Sequence, residues 1–295
     1  MAENKVQISA GMVKELRELT GLGMMECKAA LIESGGDQEL AIDTLRKKSS
    51  LKAEKKSGRT TAEGLLGLAT AQDRSRVVLV EVNIETDFAA KNAKFRDYVA
   101  QVTAVALNSG ETDVARLLAD GLETQRLSLV QEIGENITVR RVACLNAAPG
   151  DFLGAYLHSD LRKGAIVHLR GGSTELAKDL ALHITGSNPA PIVVRPDQVA
   201  AEVVAKEREI YTAQAAQSGK PEEIVARMVD GRVRKFLAEV SLLEQGFVKD
   251  PDTKVALLLS RAKAECQAFY RLEVGEGIER AASDFAAEVA ALTKG

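Results

Sequence analysis

The feature that most constrains this chain is a change of hydrophobic period near Glu63. Upstream, apolar residues recur every three or four positions, the spacing of one helix face. Downstream come dense runs such as Val77-Val78-Leu79-Val80-Glu81-Val82, which suit strands. The helical period returns beyond Val199. A chain that alternates in this way is neither a plain bundle nor an all-β barrel, and the expectation is an α+β protein. At 295 residues it is long enough for about two domains with a sizeable core.

Met12 to Lys48 reads as three short helices. Met12, Val13, Leu16 and Leu19 mark the first, and Thr20-Gly21-Leu22-Gly23 breaks it, because glycine accepts the positive φ of a helix end. Met25, Ala29 and Ile32 continue on a second face up to Ser34-Gly35-Gly36. Asp37 is placed to cap a third helix carrying Leu40, Ile42 and Leu45. The basic, polar stretch from Lys47 to Arg59 then reads as a linker or a solvated helix, which closes an N-terminal helical part over 1–59.

Leu65, Leu66 and Leu68, the turn Gln72-Asp73-Arg74-Ser75 and the run from Val77 predict a hairpin, followed by a helix through Phe95, Tyr98, Val99 and Val102. The same order recurs with Phe152 to Tyr156, Ala165 to Leu169 and a helix from Thr174 to Ile184. We therefore expect two similar subdomains, 60–147 and 148–198 with 244–274. Within 199–243, Val203 and Ile210 lie seven apart, and Val229, Val233, Phe236, Val240 and Leu243 step by four and three. This is a coiled-coil pattern, broken at Ser218-Gly219-Lys220-Pro221, so an antiparallel hairpin inserted in the second subdomain is expected. A final amphipathic helix, Ile278 to Leu292, falls in a C-terminal part, 275–295.

Composition narrows the functional classes. With 39 basic and 42 acidic residues the net charge is −3, so there is no global basic field for nucleic acid. Aromatic residues are 4% and tryptophan is absent, which disfavours a stacking surface. Cys27, Cys144 and Cys266 form no metal-ligand spacing and suggest a reducing compartment; with no leader-like start and no apolar run of ~18 residues, a cytoplasmic protein is expected. His158, His168 and His183 belong to no catalytic or metal motif, and neither Gly21-Leu22-Gly23 nor Ser218-Gly219-Lys220-Pro221 completes a nucleotide-binding loop. No cofactor and no resident metal are expected.

Two stretches ask for more than structure. Met24 and Met25 open a helix behind a glycine pair; only one of two neighbours can point inward, so at least one is expected to offer a flexible apolar contact. In Glu85-Thr86-Asp87-Phe88-Ala89-Ala90-Lys91-Asn92, Thr86 or Asp87 is a fitting helix cap, and the adjacent Phe88 stands where it could wedge into another protein. A non-catalytic docking protein would use these features, whereas a metal or acyl-transfer enzyme finds no supporting constellation.

Four motifs, in order, resemble the bacterial elongation factor Ts family. They are Val13 to Arg17 with Thr20 to Lys28, Glu85 to Asn92, Ile133-Gly134-Glu135-Asn136-Ile137 with Arg140-Arg141, and Glu273 to Glu279. The resemblance runs from about Val13 to the C-terminus. It implies a guanine nucleotide exchange factor for elongation factor Tu, built from a ubiquitin-associated-like three-helix domain, a two-part α+β core, a protruding antiparallel coiled coil and a C-terminal helical module. It implies that Thr86, Asp87, Phe88 and Ala89 displace Mg²⁺ from the partner GTPase, with Ala89 where the family pattern has Val. Arg17, Met24 and Met25 map onto the N-terminal contact, and Ile133, Gly134 and His158 onto core contacts. Lys249 stands where relatives can carry an apolar residue. No nucleic acid or membrane partner is implied, and a homodimer or two-plus-two assembly stays open.

Overall fold

Each of the first three helices begins at a residue that breaks or caps. In the computed structural model, which describes residues 7–119, 121–217 and 221–279, Ser9 caps α1 (Ala10–Thr20) by accepting from the Met12 N–H, and Gly21 ends it at φ 70°. Gly23 opens α2 (Met24–Glu33) without a side-chain cap, and the Asp37 carboxylate accepts from Leu40 N–H at the start of α3 (Gln38–Lys56). Val13, Leu16, Leu22, Cys27, Ala30, Leu31, Ala41 and Leu45 close a small buried core.

Two expectations shift here. The inward face of α2 is Cys27, Ala30 and Leu31, so the stripe Met25, Ala29 and Ile32 faces solvent. Both Met24 and Met25 are exposed, at 54% and 77%, where at least one was expected to be. The basic stretch from Lys47 is helical as far as Lys56, and its Ser49 and Ala53 are buried, so this part of α3 is no linker.

The period change at Glu63 is the start of β1 (Glu63–Thr70), which turns at Arg74, φ 58°, into β2 (Arg76–Ile84). A one-turn helix α4 (Asp87–Ala90) precedes the long α5 (Ala93–Ser109), then α6 (Val114–Leu118) and α7 (Leu122–Ile133) lead to β3 (Ile137–Asn146). β2 is the middle strand of the sheet β1-β2-β3. At Gly67 the chain has no room for a side chain: a Cβ there would lie 1.9 Å from Thr103 Oγ1 of α5. β3 is unannounced by the sequence pattern, since Arg140 and Arg141 sit in its middle.

The second sheet joins β4 (Asp151–Leu157), β5 (Lys163–Arg170) in the middle and a strand near the end of the described chain. α8 (Thr174–Gly186), capped by Ser173, lies against β4 so closely that a Cβ on Gly154 would fall 2.1 Å from the Ala177 carbonyl. Next come α9 (Ala201–Ala216) and α10 (Glu222–Glu239), with residues 218–220 of the expected turn outside the described residues. They pack through Ala215, Val229 and Val233, with Val204, Tyr211, Val225 and Leu237 beside them. Val203 and Ile210, the expected seam of α9, are exposed, and α10 ends before Val240. The chain continues through the short pair β6 (Gly246–Phe247) and β7 (Asp250–Lys254), α11 (Val255–Arg261) and β8 (Glu265–Glu273). β5 pairs antiparallel with β4 and β8, with an irregularity at His168/Leu169. Val167, Leu169, Leu180, Ile184, Leu242 and Phe247 are central to this core. The helix expected over 278–292 lies outside the described residues from 280 onward.

The architecture is mixed helix and antiparallel sheet. Contacts gather it into two compact units: one takes the chain up to Gly67, Val80–Val142 and the segment from Val274, and the other takes Leu68–Leu79 and Ala143–Glu273. Among the described residues no helix is long and apolar enough to cross a membrane.

Candidate functional site

The turn between β2 and α4 presents an aromatic ring to water. Phe88 is 80% exposed, although Ala89 and Ala90, which follow it in the same helical turn, are buried. Thr86, rather than Asp87, is the cap: its backbone is extended at φ −124° and its hydroxyl accepts from Ala89 N–H at 3.2 Å. That frees the Asp87 side chain. Its carboxylate accepts from Lys91 Nζ at 2.8 Å, and this bond from Lys91 holds its pKa below the ordinary aspartate range, so the group is a carboxylate at neutral pH. The same ammonium sits 5.3 Å from the Phe88 ring centroid. Asn92 then caps α5 by accepting from Lys94 N–H.

The turn is anchored from behind. The Glu135 carboxylate accepts the Thr86 N–H at 2.9 Å and its hydroxyl at 2.7 Å, while Glu85 Oε1 accepts the Asn136 N–H at 2.6 Å. Gly134, at φ 87°, ends α7 next to this bond pair, with Ile133 half-buried before it. Lys56 Nζ donates to the Gly134 carbonyl at 2.5 Å. Glu135, directly after Ile133-Gly134, thus ties the end of α7 to the turn that starts at Thr86.

The last turn of α7 also reaches the N-terminal helices. Gln131 Nε2 donates to Glu26 Oε1 at 2.9 Å, Lys52 adds a 2.6 Å ion pair to the same oxygen, and Ser49 hydrogen-bonds Gln131. Burial raises the Glu26 pKa, but Lys52 and Gln131 outweigh it and the net shift is downward. Arg17 and Met24 line a surface depression of about 720 Å³ together with Lys94, Gln131 and Glu132. Met25, the next residue of α2, is exposed and is not among its lining residues.

The family model for elongation factor Ts matches residues 85–276. The chain is 57% identical over 288 residues to the elongation factor Ts of Hahella chejuensis, covering 98% of this chain and 99% of that one. It is 52% identical to that of Marinobacter nauticus over 96% of both chains, and 53% identical to that of Alcanivorax borkumensis over 96% of this chain and all of that one. The chain belongs to the elongation factor Ts family.

His158 sits in the second unit, exposed in the turn after β4, where its N–H donates to the Lys163 carbonyl and its Nδ1 lies 3.1 Å from Asp160 Oδ1. Lys249 is ion-paired to Asp179 at 2.6 Å.

A second charged centre draws together Arg140-Arg141 and Gly275-Glu276. Glu81 of β2 is fully buried and accepts from Arg140 at 3.1 Å, Arg141 at 2.5 Å and Gly275 N–H at 2.9 Å. Arg140 also donates to the Glu276 carbonyl at 2.7 Å. The Arg140-Arg141 and Gly275-Glu276 motifs thus meet at one carboxylate that period reading passes over, its only sequence signal being a lone acid inside an apolar run. Among the described residues, no cluster of three or more His, Cys, Asp or Glu could hold a metal ion, and the three cysteines are free. Burial pushes the Cys266 thiol up to about 12.

Proposed function

We infer that this chain is a translation elongation factor that exchanges guanine nucleotide on elongation factor Tu, as its family does, by shape and charge and without covalent chemistry. The observation that carries the mechanism is the exposed Phe88 beside an ionised Asp87 on a capped, anchored turn. A ring held in water at this cost has no use in the fold and is complementary to an apolar cleft elsewhere. In this reading Thr86 to Ala89 enter the GTPase domain, Phe88 opens it and Asp87 competes for the groups around Mg²⁺. Mg²⁺ and the phosphate-binding loop hold GDP together, so a protein that binds best to the metal-free arrangement weakens GDP, and GDP weakens it by the same factor.

Arg17, Met24 and Met25 supply the first docking contact. Ile133, Gly134 and His158 supply further ones, and a second domain of the partner is engaged beyond the GTPase domain. The helices over 1–59 serve as the ubiquitin-associated-like domain. Two core subdomains, 60–147 and 148–198 with 244–274, carry an antiparallel coiled-coil hairpin over 199–243, and 275–295 forms the C-terminal module. The protein works in the cytoplasm, and the seam of the hairpin leaves a homodimer or two-plus-two complex open.

The test is release of labelled GDP from elongation factor Tu in excess Mg²⁺. Substoichiometric amounts of the chain are expected to accelerate release, and the acceleration should weaken as Mg²⁺ is raised. Release at the spontaneous rate would refute the assignment.

A further inference from the structure

We propose that Glu135 is the positioning residue of the exchange site, fixing the Asp87-Phe88 wedge to the docking face through Thr86. The proposal rests on the wedge reading above. One carboxylate takes both donors of Thr86, the N–H at 2.9 Å and the hydroxyl at 2.7 Å. With its proton committed to Glu135, the hydroxyl presents a lone pair to Ala89 N–H, and that bond starts the helical turn that carries Asp87 and Phe88. The direction in which Phe88 projects is thus set by a side chain 47 positions away in the sequence.

The bond is also reciprocated. Glu85 accepts the Asn136 N–H, and Asn136 Nδ2 donates to the carbonyls of Ser57 and Arg59, at 3.3 and 3.1 Å. The turn Gly134-Glu135-Asn136 is therefore tied on one side to the wedge and on the other to the end of α3, the last of the N-terminal helices. Docking through those helices then delivers Phe88 to a fixed place, and no ordering of the 85–90 turn remains for the encounter complex to perform. Without Glu135 the N-terminal helices still dock, but the wedge arrives unaligned.

The predicted signature is a split between the two kinetic constants. Glu135→Ala should lower kcat for GDP release by about tenfold, in line with loss of hydrogen bonds to a charged acceptor, and leave KM for the GDP-bound partner within about twofold. Glu135→Gln, which keeps one acceptor oxygen, should fall between. Thr86→Val removes the hydroxyl at nearly constant shape and should reproduce the loss, and the double variant Thr86→Val/Glu135→Ala should be no worse than either alone. Phe88→Ala is assayed alongside. If Phe88→Ala is slow and Glu135→Ala turns over at the wild-type rate, or raises only KM, the positioning role is overturned while the wedge stands. If Phe88→Ala itself is fully active, the wedge reading falls and the role of Glu135 with it. Should Glu135→Ala not fold, Glu135→Gln and Thr86→Val carry the same comparison, and additive losses in a Thr86→Val/Glu135→Gln double variant would refute the link.

Discussion

Phe88→Ala separates exchange from folding. Fully burying a phenylalanine side chain gains about 1.5–3 kcal/mol, and Phe88 has 80% of its surface still to bury, so sealing it in a partner contributes about 2 kcal/mol. That corresponds to about a 30-fold loss in the rate of GDP release. The fold should hardly notice. The ring is mostly in water with the Lys91 ammonium 5.3 Å from its centroid, and surface substitutions away from packing usually stay within about 0.5 kcal/mol. The assay is stopped-flow release of a fluorescent GDP from elongation factor Tu, run at high Mg²⁺ and again in chelator, with urea unfolding as the control. In chelator the metal is already gone. A ring that acts by metal displacement then loses most of its advantage, and the 30-fold deficit should contract. Wild-type release by a folded Phe88→Ala protein would refute the wedge, and a deficit of equal size with and without Mg²⁺ would reduce the ring to docking area.

Three further outcomes follow from geometry. Glu81→Gln should destabilise the protein by about 3 kcal/mol, the lower end for breaking a buried ion pair because Arg140 and Arg141 keep some water contact; a fall in the thermal midpoint of about 6–12 °C would register it, and an unchanged midpoint would contradict the hub. Gly154→Ala should cost at least about 2 kcal/mol through overpacking, since its Cβ would overlap the Ala177 carbonyl, and urea titration would expose a neutral effect as a contradiction. His183 is buried with its pKa lowered from 6.5, chiefly by desolvation, and its Nδ1 accepts the Val248 N–H while Nε2 faces Gln245 Oε1. A base whose folded pKa lies below its unfolded one is fully stabilising above about pH 6.5 and loses stability as pH falls through that value towards the folded pKa. Unfolding measured between pH 7.5 and 5 should show that slope in the wild type, and a His183→Gln variant that kept the full slope would exclude His183 as its source.

Periodicity conveys spacing better than phase, and the differences between expectation and fold trace to that. On α2 the stripes Met25-Ala29-Ile32 and Cys27-Ala30-Leu31 both satisfy helical spacing, because a short helix with few charges is apolar on more than one face. Only packing against α1 and α3 chooses between them. On α9 the pair Val204-Tyr211 has the same seven-residue step as Val203-Ile210 and is the one turned towards α10. The strands from Glu63 to Ile84 were legible because nearly every residue of β2 is buried, which leaves a continuous apolar run. β3 was not, since the arginines that interrupt it are satisfied by Glu81, and such long-range pairing leaves no mark in a local window. For the site, the exposed ring and its cap were readable from Thr86-Asp87-Phe88, whereas Glu135 became meaningful only once its distance to Thr86 was known.

The contrast between Phe88 and Phe95 says how such a site is made. The two are seven residues apart, two turns of one helix, and in an unbroken helix they would share a face. Instead Phe95 is wholly buried and Phe88 mostly exposed. What separates them is a second helix start: α4 stops at Ala90, Lys91 ends it, and Asn92 in extended conformation caps α5 anew. Two caps within seven residues, Thr86 and Asn92, reorient the chain between the rings, so one phenylalanine fills the core while its neighbour is turned outward at a position that the core, through Ala89 and Ala90, still holds rigid. An apolar side chain on a flexible loop would collapse onto the nearest apolar surface. Here the backbone beneath Phe88 is fixed by buried alanines and by the Glu135 carboxylate, so the ring remains where a partner can take it.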